Sequence, residues 1–424
     1  MKSVQKYTLR NGLRIVCVPR RESPTTAVLI LVGAGSEYET KRINGISHFL
    51  EHLVFKGTKH RPEPGMIAEE LDRLGAEYNA FTGQEYTGYW AKASREKSWH
   101  ILDIVADLYL HPIFRKDEIE RERGVIIEEI NLYEDMPMRK VQDVFLRLLY
   151  GDQPAGWDIA GEKEIIRKLQ RRQIVAYREA HYLPNNTVVV MAGAFDPKKA
   201  REKVNELFGG LTPRARRRKP KTKERQEAPA VELRYKKSDQ SHIVVGVRAF
   251  SLFDGRKYAL RVLADVLGGG MSSRLFRRVR EELGAAYYVR AEDDLALDHG
   301  YLAVAAGVDT TRLQKVVQVI LEEFARLKRE LVPKDELAKA KEHLTGKILT
   351  GLETSDALAG FYGMQELLLG SFLPPEKVVE KIRKVTAEEV RRLARAIFVE
   401  RHLNLAGIGP VRNKEQLRKL LRLE

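Results

Sequence analysis

The stretch GISHFLEHLVFKG, residues 45–57, has a partner elsewhere in the same chain. Laid on YALRVLADVLGGG, residues 258–270, it keeps its apolar positions while His48, Glu51 and His52 become Arg261, Ala264 and Asp265. Two more pairs follow nearly the same shift. FRKDEIERERGVIIEEI (114–130) matches VPKDELAKAKEHLTGKI (332–348), and GYWAKAS from Gly88 matches GYLAVAA from Gly300. A shift this long, occurring once, describes a duplicated domain of about two hundred residues rather than a solenoid. Within each copy, alternating or continuous apolar runs predict strands, in the first at 6–10, 13–19, 26–33 and 76–93, with a turn at Asn11-Gly12. Helical periodicity predicts helices near 45–56, 66–75, 97–109, 117–134 and 138–149. Hairpin-joined strands mixed with helices give an α+β fold of two homologous domains.

The 424 residues exceed what one core serves, and 43% hydrophobic content with ordinary glycine and proline counts excludes a disordered chain. Cys17 is the only cysteine, so there is no internal disulfide framework and no thiolate metal cluster, and its place in LRIVCV predicts a buried small residue. The N-terminal residues lack the continuous apolar run of a secretory signal, and no later stretch reaches membrane-spanning length, which points to a cytoplasmic protein without a membrane partner. Net charge is +15, but PRARRRKPKTKERQE (213–227) alone carries eight basic and two acidic residues, leaving +9 over the other 409. So concentrated a charge, flanked by prolines at the chain's midpoint, is expected to be a solvated linker between a domain at 1–212 and one at 228–424, not a nucleic-acid surface.

Residues three and four apart share a helix face, so His48, Glu51 and His52 converge on one volume. Two imidazoles there can hold one ion, a third ligand must come from elsewhere, and the glutamate between them can accept a proton from water. The order H-x-x-E-H is the inverted zinc-protease motif. Candidates for the distant acid lie in ERERGVIIEEI: Glu122 and Glu129 are two helical turns apart and face one way, whereas Glu128 faces another. In the second copy their counterparts are Ala340 and Lys347, which cannot bind metal. Loss of every polar member while the apolar frame survives assigns the chemistry to the first copy.

On these motifs, and over essentially all of its length, the chain resembles the M16 metallopeptidases, the family of pitrilysin and mitochondrial processing peptidase. The resemblance implies two mostly antiparallel sheets packed with helices, and a zinc endopeptidase that acts on short or unfolded peptides within a closed chamber. It implies one Zn2+ per chain held by His48, His52 and Glu129, with Glu51 as general base and Glu122 supporting a ligand; Glu128 competes with Glu129 as third ligand. It also picks out Arg280 and Tyr287, seven apart in GGGMSSRLFRRVREELGAAYYV (268–289), as groups that reach the zinc from a remote domain, with Tyr288 the neighbour on the opposite face. That glycine-rich stretch lacks the lysine of a phosphate-binding loop. Asn79, Ala80, Phe81 and Thr82, in LGAEYNAFTGQEYTGYW, resemble the strand along which relatives lay the substrate backbone. Larger members close four such domains in one chain; two domains here imply a homodimer in which Arg280 and Tyr287 act in trans. The alternative within the same fold is a non-catalytic assembly subunit, and such relatives characteristically have broken metal motifs.

Overall fold

A computed structural model describes residues 4–423. Among them, β1 (Gln5–Thr8), β2 (Arg14–Pro19), β3 (Thr25–Val32), β4 (Glu77–Thr82), β5 (Thr87–Ser94) and β6 (Thr187–Gly193) form one sheet in the order β1-β2-β6-β3-β5-β4. β7 (Ala230–Tyr235), β8 (Gln240–Arg248), β9 (Ala286–Leu295), β10 (Gly300–Asp309) and β11 (Asn404–Gly409) form a second, ordered β7-β11-β8-β10-β9. With β1 set aside, the two orders are the same. Each sheet has one parallel pair, β2 with β6 and β7 with β11, and its remaining pairs are antiparallel. The duplication legible in the sequence is thus repeated in strand topology, and the α+β expectation holds.

One expected element differs. The segment 76–93 is a hairpin rather than a single strand: the Gly83 amide donates to the Tyr86 carbonyl at 2.8 Å, and β4 folds back on β5. The turn takes only residues 83–86, so the strand-forming runs on either side of it read as one.

The compact units are not the contiguous halves 1–212 and 228–424. The first comprises residues up to Ile130, Asp158–Pro220 and Thr350–Leu373; the second comprises Asn131–Trp157, Lys221–Leu349 and the residues from Pro374 onward. The cause is visible in the strands. β2, β3 and β6 are buried on both faces, so the first sheet needs cover twice. Ile15, Cys17, Val28, Ile30 and Val189 face the main core with the helices Ile46–Leu53 and Ser98–Leu110. Val16, Val18, Leu29, Leu31 and Val190 face the opposite way, onto Leu358, Ala359 and Tyr362 of the helix Ser355–Leu369. In the second unit the corresponding cover comes from the helix Pro137–Tyr150, whose Val141, Val144, Phe145 and Leu149 pack on Val244, Ala303, Ala305 and Ala406. Each half of the chain therefore lends a helix to the other unit.

The basic segment 213–227 also departs from a purely solvated linker. Most of its side chains are exposed, but Lys219 is half-buried, its ammonium paired with the Glu37 carboxylate and, at 2.7 Å, with Glu85. Two buried acids distant in sequence cannot be seen in a charge count. Among the described residues, no helix is long and apolar enough to cross a membrane.

The helix Ile46–Leu53 has an unusual start. Gly45 sits at φ +92°, and a Cβ there would lie 2.6 Å from the Ala160 carbonyl oxygen, so the position requires glycine. The buried Glu39 carboxylate occupies the helix N-terminus, accepting from the Gly45 amide (2.7 Å), the Ser47 amide (2.8 Å) and the Asn44 side chain (3.0 Å). Ile46, Phe49, Leu50 and Leu53 bury the apolar face of the helix, which turns His48, Glu51 and His52 outward.

Two outcomes follow. Tyr362→Ala removes a buried ring from the cover of the first sheet and should cost about 3 kcal/mol or more in urea denaturation. Burial pushes the Glu39 carboxyl from 4.5 up to about 7, outweighing its three hydrogen bonds. The folded chain then holds this proton more tightly than the unfolded chain, so the contribution of Glu39 is largest below about pH 4.5 and is lost as pH rises to about 7. Glu39→Gln should flatten the fall in stability over that window, by up to about 3 kcal/mol between its ends.

Candidate metal centre

The first unit brings the three expected ligands together. His52 Nε2 lies 3.3 Å from His48 Nε2 and 3.3 Å from Glu129 Oε2, and His48 Nε2 lies 3.6 Å from the same oxygen. Around a tetrahedral zinc with bonds of ~2.0–2.1 Å, neighbouring ligand atoms stand roughly 3.3 Å apart. Two nitrogens and one carboxylate oxygen at that spacing form a donor set that fits the ion. Glu129 is the acid that lies within reach of both imidazoles; Glu128, one residue away, is exposed and outside the group. Both glutamates of the expected pair sit on the helix Lys116–Asp135, whose Ile119, Ile126 and Ile130 anchor it in the core shared with Phe49 and Leu50.

Glu122 holds His52 from behind. Its Oε1 accepts from His52 Nδ1 at 2.9 Å, while its Oε2 pairs with the Lys56 ammonium at 2.8 Å. Because Nδ1 carries the proton given to Glu122, Nε2 is the nitrogen left for a metal. Burial of Glu122 works against its charge, but the hydrogen bonds from His52 and Lys56 outweigh it and hold the carboxyl below its ordinary range. For His52, burial acts to lower the imidazolium, yet the hydrogen bonds to Glu122 and Glu129 raise it to about 9. Lys56 was not anticipated, although its place four residues after His52 puts it on the same helical face.

Glu51 lies on the same side of the helix as the two histidines. Its Oε2 accepts from the Thr82 hydroxyl at 2.5 Å. Burial raises its pKa above the usual carboxylate value against that hydrogen bond, and the nearby Glu129 charge adds to the rise. Thr82 ends β4, the edge strand of the first sheet. Asn79, in the same strand, is exposed and turns its Oδ1 onto the Ala80 amide at 2.8 Å, an amide that β5 therefore does not use. Ala80 and Phe81 are half-buried. The four residues expected along a substrate strand thus lie on an open sheet edge, and one of them orients Glu51.

Arg280 and Tyr287 lie in the second unit, on the π-helical segment Phe276–Glu282 and on β9. They are neighbours there, with the guanidinium 5.8 Å from the ring centroid. Tyr287 is 74% exposed. Tyr288, on the other face of the strand, packs against the second unit's core and places its hydroxyl 3.1 Å from His242 Nδ1. At the position equivalent to the metal centre, the second unit has Asp265 hydrogen-bonded to His343 at 2.8 Å, joining the helices Lys257–Gly268 and Lys334–Thr350.

Residues 14–163 match the family profile "Insulinase (Peptidase family M16)" and residues 168–344 match "Peptidase M16 inactive domain". An uncharacterized zinc protease of Bacillus subtilis is 36% identical over 97% of this chain and 99% of its own length. One from Mycobacterium leprae is 35% identical over 99% and 95%. A protease structure from Helicobacter pylori superimposes with a TM-score of 0.89 over 96% of this chain and 99% of its own, at 24% identity. His48, His52 and Glu129 lie within the match to the first profile, and Arg261 and Asp265, which stand in place of the two histidines, lie within the match to the one termed inactive; with relatives aligned from end to end, the chain belongs to peptidase family M16.

Proposed function

We propose that the protein is a zinc-dependent endopeptidase cleaving short or unfolded peptides within a homodimeric chamber. The observation that carries this reading is the triangle of His48, His52 and Glu129 with the Glu51 carboxylate beside it on one helix. A zinc ion held by these three would polarise the scissile carbonyl and ease ionisation of the attacking water. Glu51, oriented by Thr82 and raised by burial, takes the proton of that water and delivers it to the leaving amine. Glu122 and Lys56 keep His52 in the tautomer that presents Nε2. The substrate backbone adds to the edge of β4, where it replaces the Asn79 side chain at the Ala80 amide, so that recognition depends on main chain more than on sequence. Arg280 and Tyr287 of one subunit would donate to the negative charge that develops on the scissile carbonyl oxygen in the other subunit's site. The names of the Bacillus and Mycobacterium relatives support zinc and proteolysis.

Glu51→Gln should retain zinc in metal analysis and lower turnover of a quenched peptide library by roughly 10^2–10^4-fold; undiminished turnover would remove the assigned role. Glu51→Gln and Tyr287→Phe subunits, each impaired alone, should recover activity when mixed, to about one quarter of wild type after random exchange in a two-fold dimer. No recovery despite demonstrated exchange would place Tyr287 outside the partner's site.

A further inference from the structure

The first unit holds a second convergence of nitrogen and oxygen donors. His60 lies on the loop that follows the metal helix, His111 directly follows the helix Ser98–Leu110, and Asp107 lies one turn before His111. His60 Nδ1 stands 2.8 Å and His111 Nδ1 3.0 Å from the same oxygen, Asp107 Oδ1. The two imidazole rings meet edge to face with centroids 4.8 Å apart. Asp107 is buried, His111 half-buried, and the His60 side chain 64% exposed, so the cluster opens to solvent on one side.

The carboxylate is fixed before any ion arrives. Asp107 Oδ2 accepts from the Thr58 hydroxyl and, at 2.9 Å, from the Arg61 guanidinium. Arg61 is itself held by Glu70 and, at 2.8 Å, by Asp103. Three carboxylates thus surround one guanidinium, and His100 also reaches Glu70 at 2.6 Å, so acids outnumber the guanidinium around the cluster. The main chain fixes the histidines as well. A β-bridge joins Thr58 to Pro112, the Lys59 amide donates to the His111 carbonyl at 3.0 Å, and the Ile113 amide donates to Gly57 at 3.2 Å. The loop carrying one histidine is thus stitched to the loop carrying the other. Burial opposes the Asp107 charge, but its hydrogen bonds from Thr58, His60, Arg61 and His111 outweigh it and hold its pKa below the ordinary value.

We propose that His60, Asp107 and His111 form a second metal site, structural rather than catalytic, for a borderline divalent ion of the zinc type. Two imidazole nitrogens and one carboxylate oxygen suit zinc and its first-row neighbours, whereas calcium and magnesium require oxygen ligands. Each neutral imidazole would turn its Nδ1 lone pair to the ion and carry its proton on Nε2, beside the Asp107 carboxylate, with water completing the coordination on the exposed side. The ion clamps the loop after the metal helix to the end of Ser98–Leu110. That loop begins immediately after Lys56, which supports Glu122.

The test uses the full-length protein, stripped with a chelator and titrated with Zn2+ alone, the metal being counted after gel filtration. His48→Ala/His52→Ala removes the first site and should still bind one equivalent, with a rise in melting temperature on zinc addition. Adding His60→Ala to that background should abolish both the equivalent and the shift. His60 is exposed, so this substitution leaves the far-UV dichroism unchanged. A double variant that binds no zinc, or a triple variant that binds as much as the double, would overturn the inference. Neither result bears on the peptidase reading, which the Glu51 and Tyr287 variants address separately.

Discussion

The hydrogen bond from His52 Nδ1 to Glu122 decides which nitrogen remains for an ion, and the rest of the metal centre is arranged around it. The helix Lys116–Asp135 carries Glu122 into that bond, and two turns further on the same helix delivers Glu129 beside His48 and His52. Lys56 occupies the second oxygen of Glu122, so the carboxylate cannot rotate away from its histidine. In a low-dielectric setting each link strengthens the next, and breaking one leaves a buried charge unpaired. At the other end of the short metal helix, Glu39 takes up the free amides and Gly45 permits the approach of the 160–166 segment. A helix of eight residues is too short to persist alone, and here both of its ends are tied down.

The second unit shows the same frame with different chemistry. Its two equivalent helices are joined by Asp265 and His343, a direct hydrogen bond where the first unit gathers three metal-binding groups. In the second unit the two helices therefore cross on a direct side-chain hydrogen bond in place of the His48, His52 and Glu129 cluster.

Much of this was legible in the chain. The apolar frame shared by residues 45–57 and 258–270 revealed the duplication, and spacings of three, four and seven placed His48, Glu51, His52, Glu122 and Glu129 on common faces, because helical period is a local property. The choice of Glu129 over Glu128 depends on how the helix is rotated, which Ile119, Ile126 and Ile130 fix through contacts made far away in sequence. Glu39, Lys219 and the bond from Thr82 to Glu51 were invisible for the same reason, since each joins segments whose proximity exists only after folding. The exchanged helices were hidden more deeply. An amphipathic pattern states that a helix has a face to bury, but not which sheet will receive it.

That exchange has a consequence during biosynthesis. When residue 220 has left the ribosome, every strand of the first sheet has been made, yet the helix that seals its outer face belongs to Thr350–Leu373. About 150 further residues must be translated, roughly 8–30 s at ordinary elongation rates, while Val16, Leu29, Leu31 and Val190 lie open to water or to other nascent chains. The outer face of the N-terminal sheet is consequently closed only when residues 350–373 arrive, late in synthesis rather than with the sheet itself.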